Sequence, residues 1–458
     1  MGKNSHTLLI TNVRIVSHRG ILDGKNAILV RGERIESIFD GSKAPLPETD
    51  SVIDGGGKLC FPGIVDDQVH FRDPGLTHKG DIASESSAAL LGGVTSWMDM
   101  PNTKPQTTTL EAWADKMALG AEKARGNYAF YFGATNENAD LLRLIDKAHT
   151  PGVKVFMGSS TGNMLVDSDE ALRRIFAESP IPVALHSESE AIIRVNKEEY
   201  RMRYGEDPHV KYHPMIRSRE ACLESTKKAV KLAQETGAHI HILHLSTEDE
   251  VKYLSEGHFP GVTTEVCVHH LWFDSRDYDR LGTRIKWNPA IKEARDKEAL
   301  RNGLKSGALD IVATDHAPHL LEEKQGGAFK AASGGPLAQF SLLMMLEMVK
   351  EGVYEYPEVA DLMSKKPCTL FGVKERGEIA EGYYADLVLV DDRSTLSVTP
   401  EIIRSKCGWS PLEGFTFSHK ITDVILNGTH AVKAGALDEE AAHSAAMPLL
   451  FEHPTRNK

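Results

Sequence analysis

Imidazole, amine and carboxylate side chains recur directly after short apolar segments of this sequence. The first such segment ends in Gln68, His70 and Arg72, and because residues two apart share one face of a strand, these side chains would point into one space. The polar residues at the other segment ends are Asn102, Lys154, His186, His244, Asp315 and His319. The nitrogen and oxygen donors among them that suit a metal ion are His70, Lys154, His186, His244 and Asp315.

Lys154 lies inside an apolar segment, between Val153 and the pair Val155 and Phe156. A buried ammonium without a partner costs several kcal/mol, so this lysine needs a partner, a lowered pKa or a covalent modification. Perturbed groups of this kind cluster at functional sites. We therefore expect a functional role for Lys154.

Strand-like and helix-like segments alternate from Phe61 onward, and this alternation must position the polar residues. The centres of the predicted strands are Ile64, Val94, Tyr128, Val153, Val183, Ile240, Val262 and Ile311. Eight strand–helix alternations predict an α/β fold, a (β/α)8 TIM barrel whose active face is the carboxyl end of its strands. The alternative is an open doubly wound sheet, which the lack of a GxGxxG motif after the first strand disfavours.

The two ends of the chain have a different pattern, with short strands rich in β-branched residues between turn signals. At the start, we interpret residues 7–16 and 27–38 as antiparallel strands, and residues 51–53 as a third short piece of the same kind. Residues 377–391 and 423–435 resemble them. We expect both ends to form one small β-sandwich domain, with residues 1–60 and 371–458 in that domain and residues 61–370 in the barrel.

Neighbouring histidines are assigned by their phase along the strand. Ile240 and Ile242 are in phase with His244, so we expect them to form inward layers below it. His239 and His241 are out of phase and are interpreted as structural. The pair His269-His270 is open to the same interpretation.

The composition excludes several classes of function. A net charge of -12 leaves no basic excess for nucleic acid or an anionic membrane. The start lacks the apolar region of a signal peptide, and no run of about 20 apolar residues predicts a membrane span. Five scattered cysteines without a CxxC motif fit buried reduced thiols in a cytoplasmic protein.

The strand ends also carry motifs, and together they make the chain resemble the cyclic amidohydrolases of the amidohydrolase superfamily, most closely the dihydroorotase group. The motifs run in family order from about residue 60 to 370, and HFRDPG, MPNT and TDHAPH are specific in combination. They are DDQVHFRDPGLTHKGD (66–81), MDMPNT (98–103), GVKVFMG (152–158), LHSE (185–188), HLST (244–247), KWNPAIK (286–292) and TDHAPH (314–319).

The resemblance implies a hydrolytic centre with one or two zinc ions per chain. Lys154 would be carboxylated, and its carbamate would bridge the two metals. The β metal would be held by Lys154, His186 and His244, and the α metal by His70 and Asp315. The resemblance also implies a homo-oligomer, most simply a dimer.

The implied reaction is the reversible hydrolysis of dihydroorotate to carbamoyl-aspartate in pyrimidine synthesis, with Asp315 as general base and then acid. The residues implied in binding this small-molecule substrate are Arg72, Asn102 and His319 at its carboxylate and Asn288 at its ring. Two alternatives remain open: a hydantoinase-like or allantoinase-like cyclic amidase, and a catalytically impaired homologue that acts as a structural partner.

Gln68 departs from the family pattern, which has His-x-His where this sequence has Gln68-Val69-His70. An amide oxygen is a weaker zinc donor than an imidazole nitrogen. The α site is therefore expected to be weakened, completed by water or empty. A lesser departure is Pro-Ala-Ile-Lys (289–292), where the family often has Pro-Pro-Leu-Arg.

Overall fold

Short strands rich in β-branched residues precede the barrel, as predicted. They are β1 (Thr7–Thr11), β2 (Arg14–Ser17), β3 (Gly20–Ile21), β4 (Ala27–Arg31), β5 (Arg34–Phe39), β6 (Ser51–Asp54) and β7 (Leu59–Pro62). One sheet has the order β5-β4-β1-β6. As predicted, β1 pairs with β4, and β4 with β5, in the antiparallel direction. The pairs of β1 with β6 and of β2 with β7, for which no direction was predicted, are parallel. The structure, a computed structural model, describes residues 6–43, 45–158 and 164–453.

Eight parallel strands then close into a barrel, which confirms the predicted fold. They are β8 (Ile64–Val69), β9 (Val94–Asp99), β10 (Asn127–Phe130) continued as β11 (Phe132–Gly133), β12 (Val153–Phe156), β13 (Val183–His186), β14 (Ile240–Ile242), β15 (Val262–Cys267) and β16 (Ile311–Ala313). Each strand pairs with its neighbour in chain order. The ring closes where Val69 bridges His316 in parallel.

Helices follow most of these strands, and further helices lie in the connections and after the last barrel strand. They are α1 (Ile82–Leu91), α2 (Leu110–Lys123), α3 (Asp169–Glu178), α4 (Glu190–Tyr204), α5 (His213–Ile216), α6 (Arg219–Thr236), α7 (Glu248–Glu256), α8 (Val268–Trp272), α9 (Tyr278–Leu281), α10 (Ala294–Ser306), α11 (Ser341–Lys350), α12 (Tyr356–Ala360), α13 (Lys366–Phe371) and α14 (Glu439–Ala445). Ser218 caps the longest helix, α6, and Gly237 ends it in the left-handed conformation that glycine tolerates.

The remaining strands return to the N-terminal sheets. They are β17 (Leu387–Asp391), β18 (Leu396–Ser397), β19 (Thr416–Phe417), β20 (Lys420–Leu426), β21 (Thr429–Lys433) and β22 (Ala436–Leu437). The second sheet has the order β22-β21-β20-β17-β7-β2-β3, so it contains strands from both ends of the chain. Apolar residues of both sheets, such as Leu8, Ile28 and Leu387, share one buried core.

The domain division predicted for residues 1–60, 61–370 and 371–458 remains a proposal. β7 runs to Pro62 and pairs with β17, whereas β8 begins at Ile64. We therefore propose that the chain passes from the β-sandwich into the barrel at Gly63. This glycine lies close to Asp386, and a Cβ there would meet the Asp386 Cβ at 2.8 Å.

The expectation that Ile240 and Ile242 form inward layers below His244 is wrong. Ile240 and Ile242 pack in the outer core with Val230 and Leu232 of α6, whereas His241 lies inside the barrel against the Phe371 ring. Regular alternation after β14 ends at His244, whose φ is 41°. Because of this left-handed backbone, the His244 side chain reaches the barrel mouth, although strict alternation from the inward-facing His241 would turn it outward.

The helices also differ in part from the prediction. Residues 137–147 contain a 3-10 helix (Ala139–Leu144) in place of an α-helix. Helix α4 lies in a stretch for which no helix was predicted. It has a weakly apolar pattern, and Ile193 is its buried residue.

The bottom of the barrel is closed by residues that come late in the chain. Phe371, Leu449 and Phe451 pack with inward residues of the barrel strands, including Val65 and Tyr131. Leu449 N–H also donates to the Tyr128 carbonyl at 2.9 Å. The barrel floor is therefore built by two segments, one that precedes the C-terminal strands and contains Phe371, and one that follows them and contains Leu449 and Phe451.

A buried ion pair joins the β-sandwich to the barrel. Arg376 donates to Asp386 and, at 2.8 Å, to Asn427 Oδ1. The other contacts of Asp386 are Nδ2 of the barrel residue Asn127 at 3.1 Å and the Asn427 N–H at 2.8 Å. The side chains of Arg376 and Asp386 are 3% and 5% exposed, so removal of either charge would leave the other buried without a partner.

Arg376→Leu should therefore destabilise the protein by roughly 3–5 kcal/mol, because it leaves the Asp386 carboxylate buried and unpaired. The measurement is urea-induced unfolding followed by tryptophan fluorescence. The matched control is Arg393→Leu, which removes an ion pair with Asp391 whose arginine is 63% exposed, and it should cost less than about 1 kcal/mol. Equal unfolding midpoints for the two variants would contradict a structural role for this pair.

Candidate active site

A cavity of about 340 Å³ opens at the carboxyl ends of the barrel strands. Every predicted site residue lines it, and so does Gln68. These residues are Gln68, His70, Arg72, Asn102, Lys154, His186, His244, Asn288, Asp315 and His319. Their placement follows from the parallel barrel, in which all strands end at the same face. Their individual roles stay predictions.

Three of these residues have a left-handed backbone where strand ends turn into loops. The φ angles are 70° at Arg72, 41° at His244 and 46° at Asp315. Residues with a Cβ rarely adopt this conformation, which costs of order 1–3 kcal/mol unless the surroundings hold it. Such strain collects at functional sites, where it aims a side chain that regular strand geometry would turn away.

His186 and His244 face each other across 3.0 Å between Nδ1 and Nε2. His186 Nε2 lies 2.8 Å from Glu188 Oε2, and Glu188 also accepts a hydrogen bond from Arg217. Burial opposes ionisation of Glu188, but Arg217 and His186 lower its pKa to about 2. Because this carboxylate can only accept, His186 carries its proton on Nε2 and presents a lone pair on Nδ1.

His70 and Asp315 form the second pair, with 3.0 Å between Nε2 and Oδ1. The other ring nitrogen of His70, Nδ1, lies 2.8 Å from Asn102 Oδ1. An amide oxygen accepts, so Nδ1 carries the proton and the Nε2 lone pair points at the carboxylate. Two electron-rich atoms at this distance need a cation or a proton between them.

The Gln68 amide forms hydrogen bonds with its neighbours and does not point its oxygen at the position of a metal ion. Its Nε2 donates to Asp315 Oδ1 at 3.2 Å, since a carboxylate cannot donate. Its Oε1 lies 3.7 Å from the Cys267 thiol. The oxygen that could bind a metal is therefore turned away from Asp315, which agrees with the expectation of a weakened α site.

Lys154 lies in β12 with its side chain buried and its Nζ 4.7 Å from the centre of the Phe156 ring. Burial lowers the pKa of Lys154 to about 7, although the charge of Asp315 and of Glu265 opposes this change. A substantial fraction of the amine is therefore neutral near pH 7. The neutral amine is the form that reacts with carbon dioxide.

Arg72 and His319 lie together on the wall of the cavity, with 3.1 Å between Nη2 and Nε2. Lys79 Nζ approaches the other ring nitrogen, Nδ1, at 3.1 Å and donates to Glu323 at 2.9 Å. Burial and the charges of Arg72 and Lys79 lower the pKa of His319 to about 3. His319 is therefore neutral at physiological pH.

Asn288 is held from behind by His213, whose Nε2 lies 3.1 Å from Asn288 Oδ1 and 2.8 Å from the Trp287 carbonyl. Both oxygens accept, so His213 donates to them. The Asn288 amide nitrogen is then free to face the cavity. The geometry allows Asn288 to donate to a carbonyl oxygen of a bound molecule.

The donor set fits a metal centre. The lone pair on His186 Nδ1 faces a nitrogen of the second imidazole, His244 Nε2, at 3.0 Å, and the lone pair on His70 Nε2 faces the Asp315 carboxylate at 3.0 Å. Nitrogen and oxygen donors of this kind suit zinc. The residues that could hold metal ions are Lys154, His186 and His244 on one side, and His70 and Asp315 on the other.

Sequence reasoning assigned no role to Glu188 or Arg217. Arg217 lies between two helices and lines the cavity, so no strand-end pattern indicated it. Glu188 stands two residues after His186, and this spacing was the available signal, because an acid there can accept from the imidazole. Both act on the cavity through His186.

Comparisons with known proteins agree with this geometry. Residues 59–430 match the model of the amidohydrolase family. A dihydroorotase of Halobacterium salinarum is 34% identical over 88% of this chain and 92% of its own length. An allantoinase of Bacillus velezensis is 30% identical over 86% of this chain and 88% of its own length.

The fold has a similar match among solved structures. The L-hydantoinase (dihydropyrimidinase) of Arthrobacter aurescens superposes with a TM-score of 0.89 and 28% identity, covering 94% of this chain and 97% of that one. The predicted fold and hydrolase class are confirmed, and the family is generally metal-dependent. The chain belongs to the amidohydrolase family.

Proposed function

We propose that this chain catalyses the reversible hydrolysis of the cyclic amide of dihydroorotate to carbamoyl-aspartate. The observation that carries the proposal is the Arg72 guanidinium, which is 5% exposed and lines the cavity. Its contacts are the Pro318 carbonyl at 3.1 Å and neutral His319. In the described part of the chain, no carboxylate lies within salt-bridge distance of Arg72.

A buried cation without a counter-ion is costly, and a substrate carboxylate would remove that cost. The planar fork of Arg72 matches a carboxylate, and neutral His319 and Asn102 stand beside it. Arg217, the other guanidinium of the cavity, is already paired with Glu188. Hydantoin and allantoin carry no carboxylate, so Arg72 favours dihydroorotate over them. The dihydroorotases among the relatives support the same choice.

Zinc fits the donor set: His186 and His244 would hold one ion, His70 and Asp315 would hold a second, and Lys154, as a carbamate, would add an oxygen ligand. A bound metal ion supplies Lewis acidity, which lowers the pKa of water to about 7 and polarises a carbonyl. Asp315 takes the proton of the attacking water and transfers it to the ring nitrogen as the carbon–nitrogen bond breaks. Asn288 orients the ring, and Gln68 holds the Asp315 carboxylate by its amide.

We further propose that the protein is a cytoplasmic homo-oligomer, most simply a dimer, that acts on a small molecule. The five cysteines are all buried and free, which fits a reducing compartment. In the described residues, no helix is long and apolar enough to cross a membrane.

The direct test is hydrolysis of dihydroorotate, hydantoin and allantoin by one purified sample whose zinc content is measured. We expect kcat/KM for dihydroorotate to be higher by roughly a hundredfold, since a buried charge pair contributes roughly 2–5 kcal/mol. A preference for the rings without a carboxylate would identify a hydantoinase-like or allantoinase-like amidase. A zinc-loaded sample that hydrolyses none of the three would identify an impaired homologue.

Arg72→Lys should raise KM for dihydroorotate and lower kcat/KM by roughly thirtyfold or more, because a lysine cannot form the two parallel hydrogen bonds of the fork. Zinc content should not change. Arg280→Lys, at an exposed ion pair with Asp277, is the matched control and should behave as the wild type. Unchanged steady-state kinetics in Arg72→Lys would contradict a carboxylate site at Arg72.

Gln68→His should tighten the second zinc ion by roughly tenfold or more, since it adds an imidazole donor where the amide oxygen is turned away. The measurement is competition of the protein with a chelator, followed by zinc analysis. In the wild type we expect the chelator to remove one zinc ion well before the other. Gln325→His, at an exposed position, is the control for adventitious binding by a new histidine. Two ions of equal affinity, unchanged by Gln68→His, would show that position 68 does not limit this site.

A further inference from the structure

A second cluster of possible metal ligands lies inside the barrel, beneath the cavity. Asp67 of β8, His241 of β14 and Glu265 of β15 each have 0% exposure. One ligand atom of each lies within 4.8 Å of the others. Phe371 of the barrel floor packs edge-on against the His241 ring, with 5.2 Å between ring centres.

The protonation of His241 follows from its neighbours. His241 Nδ1 lies 2.9 Å from Thr263 Oγ1, and this hydroxyl donates its own hydrogen to the Ile240 carbonyl at 3.1 Å. Thr263 must therefore accept from His241, which places a proton on Nδ1. Burial opposes a second proton on the ring, but Asp67 and Glu265 raise the pKa of His241 to about 9. Without a metal ion Nε2 therefore also carries a proton, and a bound metal ion would take the place of that proton.

Several atoms of this cluster are buried without a hydrogen-bond partner. They are both carboxylate oxygens of Asp67, Glu265 Oε2 and His241 Nε2. A buried carboxylate without a close partner costs several kcal/mol, and here two of them face one ring nitrogen. The cluster needs a cation at its centre, which is either a second proton on His241 or a metal ion.

The distances favour a metal ion over a proton. His241 Nε2 lies 3.5 Å from Asp67 Oδ2 and 3.7 Å from Glu265 Oε2, which is long for hydrogen bonds. The ligands of a tetrahedral zinc ion with bonds of 2.0–2.1 Å lie about 3.3–3.4 Å apart. A single proton on Nε2 would serve one carboxylate and leave the other unpaired.

We propose that Asp67, His241 and Glu265 bind a divalent cation of the zinc type, at a site separate from the cavity centre. The donors are one imidazole nitrogen and two carboxylate oxygens, a set that suits zinc. Two carboxylates neutralise the ion, so the barrel interior gains no net charge.

The site would also support the cavity above it. Glu265 Oε1 accepts from the His244 N–H at 3.0 Å and lies 3.2 Å from the Cys267 thiol. The Glu265 carboxylate thus joins the proposed ion to the strained backbone of His244. Its role is to position His244 and not to contact the substrate.

The first test is anomalous X-ray diffraction at the zinc edge from crystals of the wild-type protein reconstituted with Zn²⁺. We expect a peak at roughly 2.0–2.2 Å from His241 Nε2 and from one oxygen of each carboxylate. Peaks confined to the cavity, with none at this cluster, would overturn the proposal and indicate a shared proton. This readout needs no turnover, so it is independent of the proposed reaction.

The second test is native mass spectrometry of Asp67→Asn after the same reconstitution. This variant should bind one Zn²⁺ fewer than the wild type, and His241→Gln should lose the same ion. His258→Gln, at an exposed histidine, is the matched control and should keep the wild-type number. An Asp67→Asn protein that retains every zinc ion would overturn the proposal, and the wild-type diffraction result decides the question if neither variant folds.

Discussion

Closure between the first and the last barrel strand is the constraint on which the site depends. The Asp66 carboxylate accepts from the Thr314 hydroxyl at 2.6 Å and from the Thr314 N–H at 3.2 Å, across 248 residues of sequence. The His70 N–H donates to the His316 carbonyl at 2.7 Å in the same seam. Because of this seam, His70 and Asp315 meet at 3.0 Å, and without it these two donors, which come from the first and the last barrel strand, would not face each other.

The sequence predicted the parts of the structure that follow from periodicity. All eight residues predicted as strand centres lie in barrel strands, because apolar runs bounded by turn signals are strong local patterns, although most of them begin the strand. The predicted site residues line one cavity because a closed parallel barrel brings every strand end to one face. Where the backbone leaves regular geometry, prediction failed. Strict alternation along the strand predicted that Ile240 lies inside the barrel on the same side as His244. The left-handed backbone at His244 breaks this alternation, so His244 reaches the cavity although Ile240 packs outside the barrel.

The sequence also did not predict the residues that orient or protonate other side chains of the site. Glu188 and Arg217 fix the proton of His186, but they lie outside the strands and their contact depends on the packing of loops and helices. Asp67 and His241 lie on separate strands and meet only inside the closed barrel. From its position along one strand, His241 was interpreted as structural. The sequence of that strand does not show that carboxylates on other strands lie beside it.

The barrel floor contains residues that are synthesised long after the barrel strands on which they pack. The first barrel strand begins at Ile64, yet its inward residue Val65 packs in one core with Phe371, Leu449 and Phe451. When synthesis has reached the end of the eighth strand, the chain contains every barrel strand but none of the residues that close the barrel floor. The core beneath the cavity therefore lacks Leu449 and Phe451 until the last residues of the described chain have been synthesised.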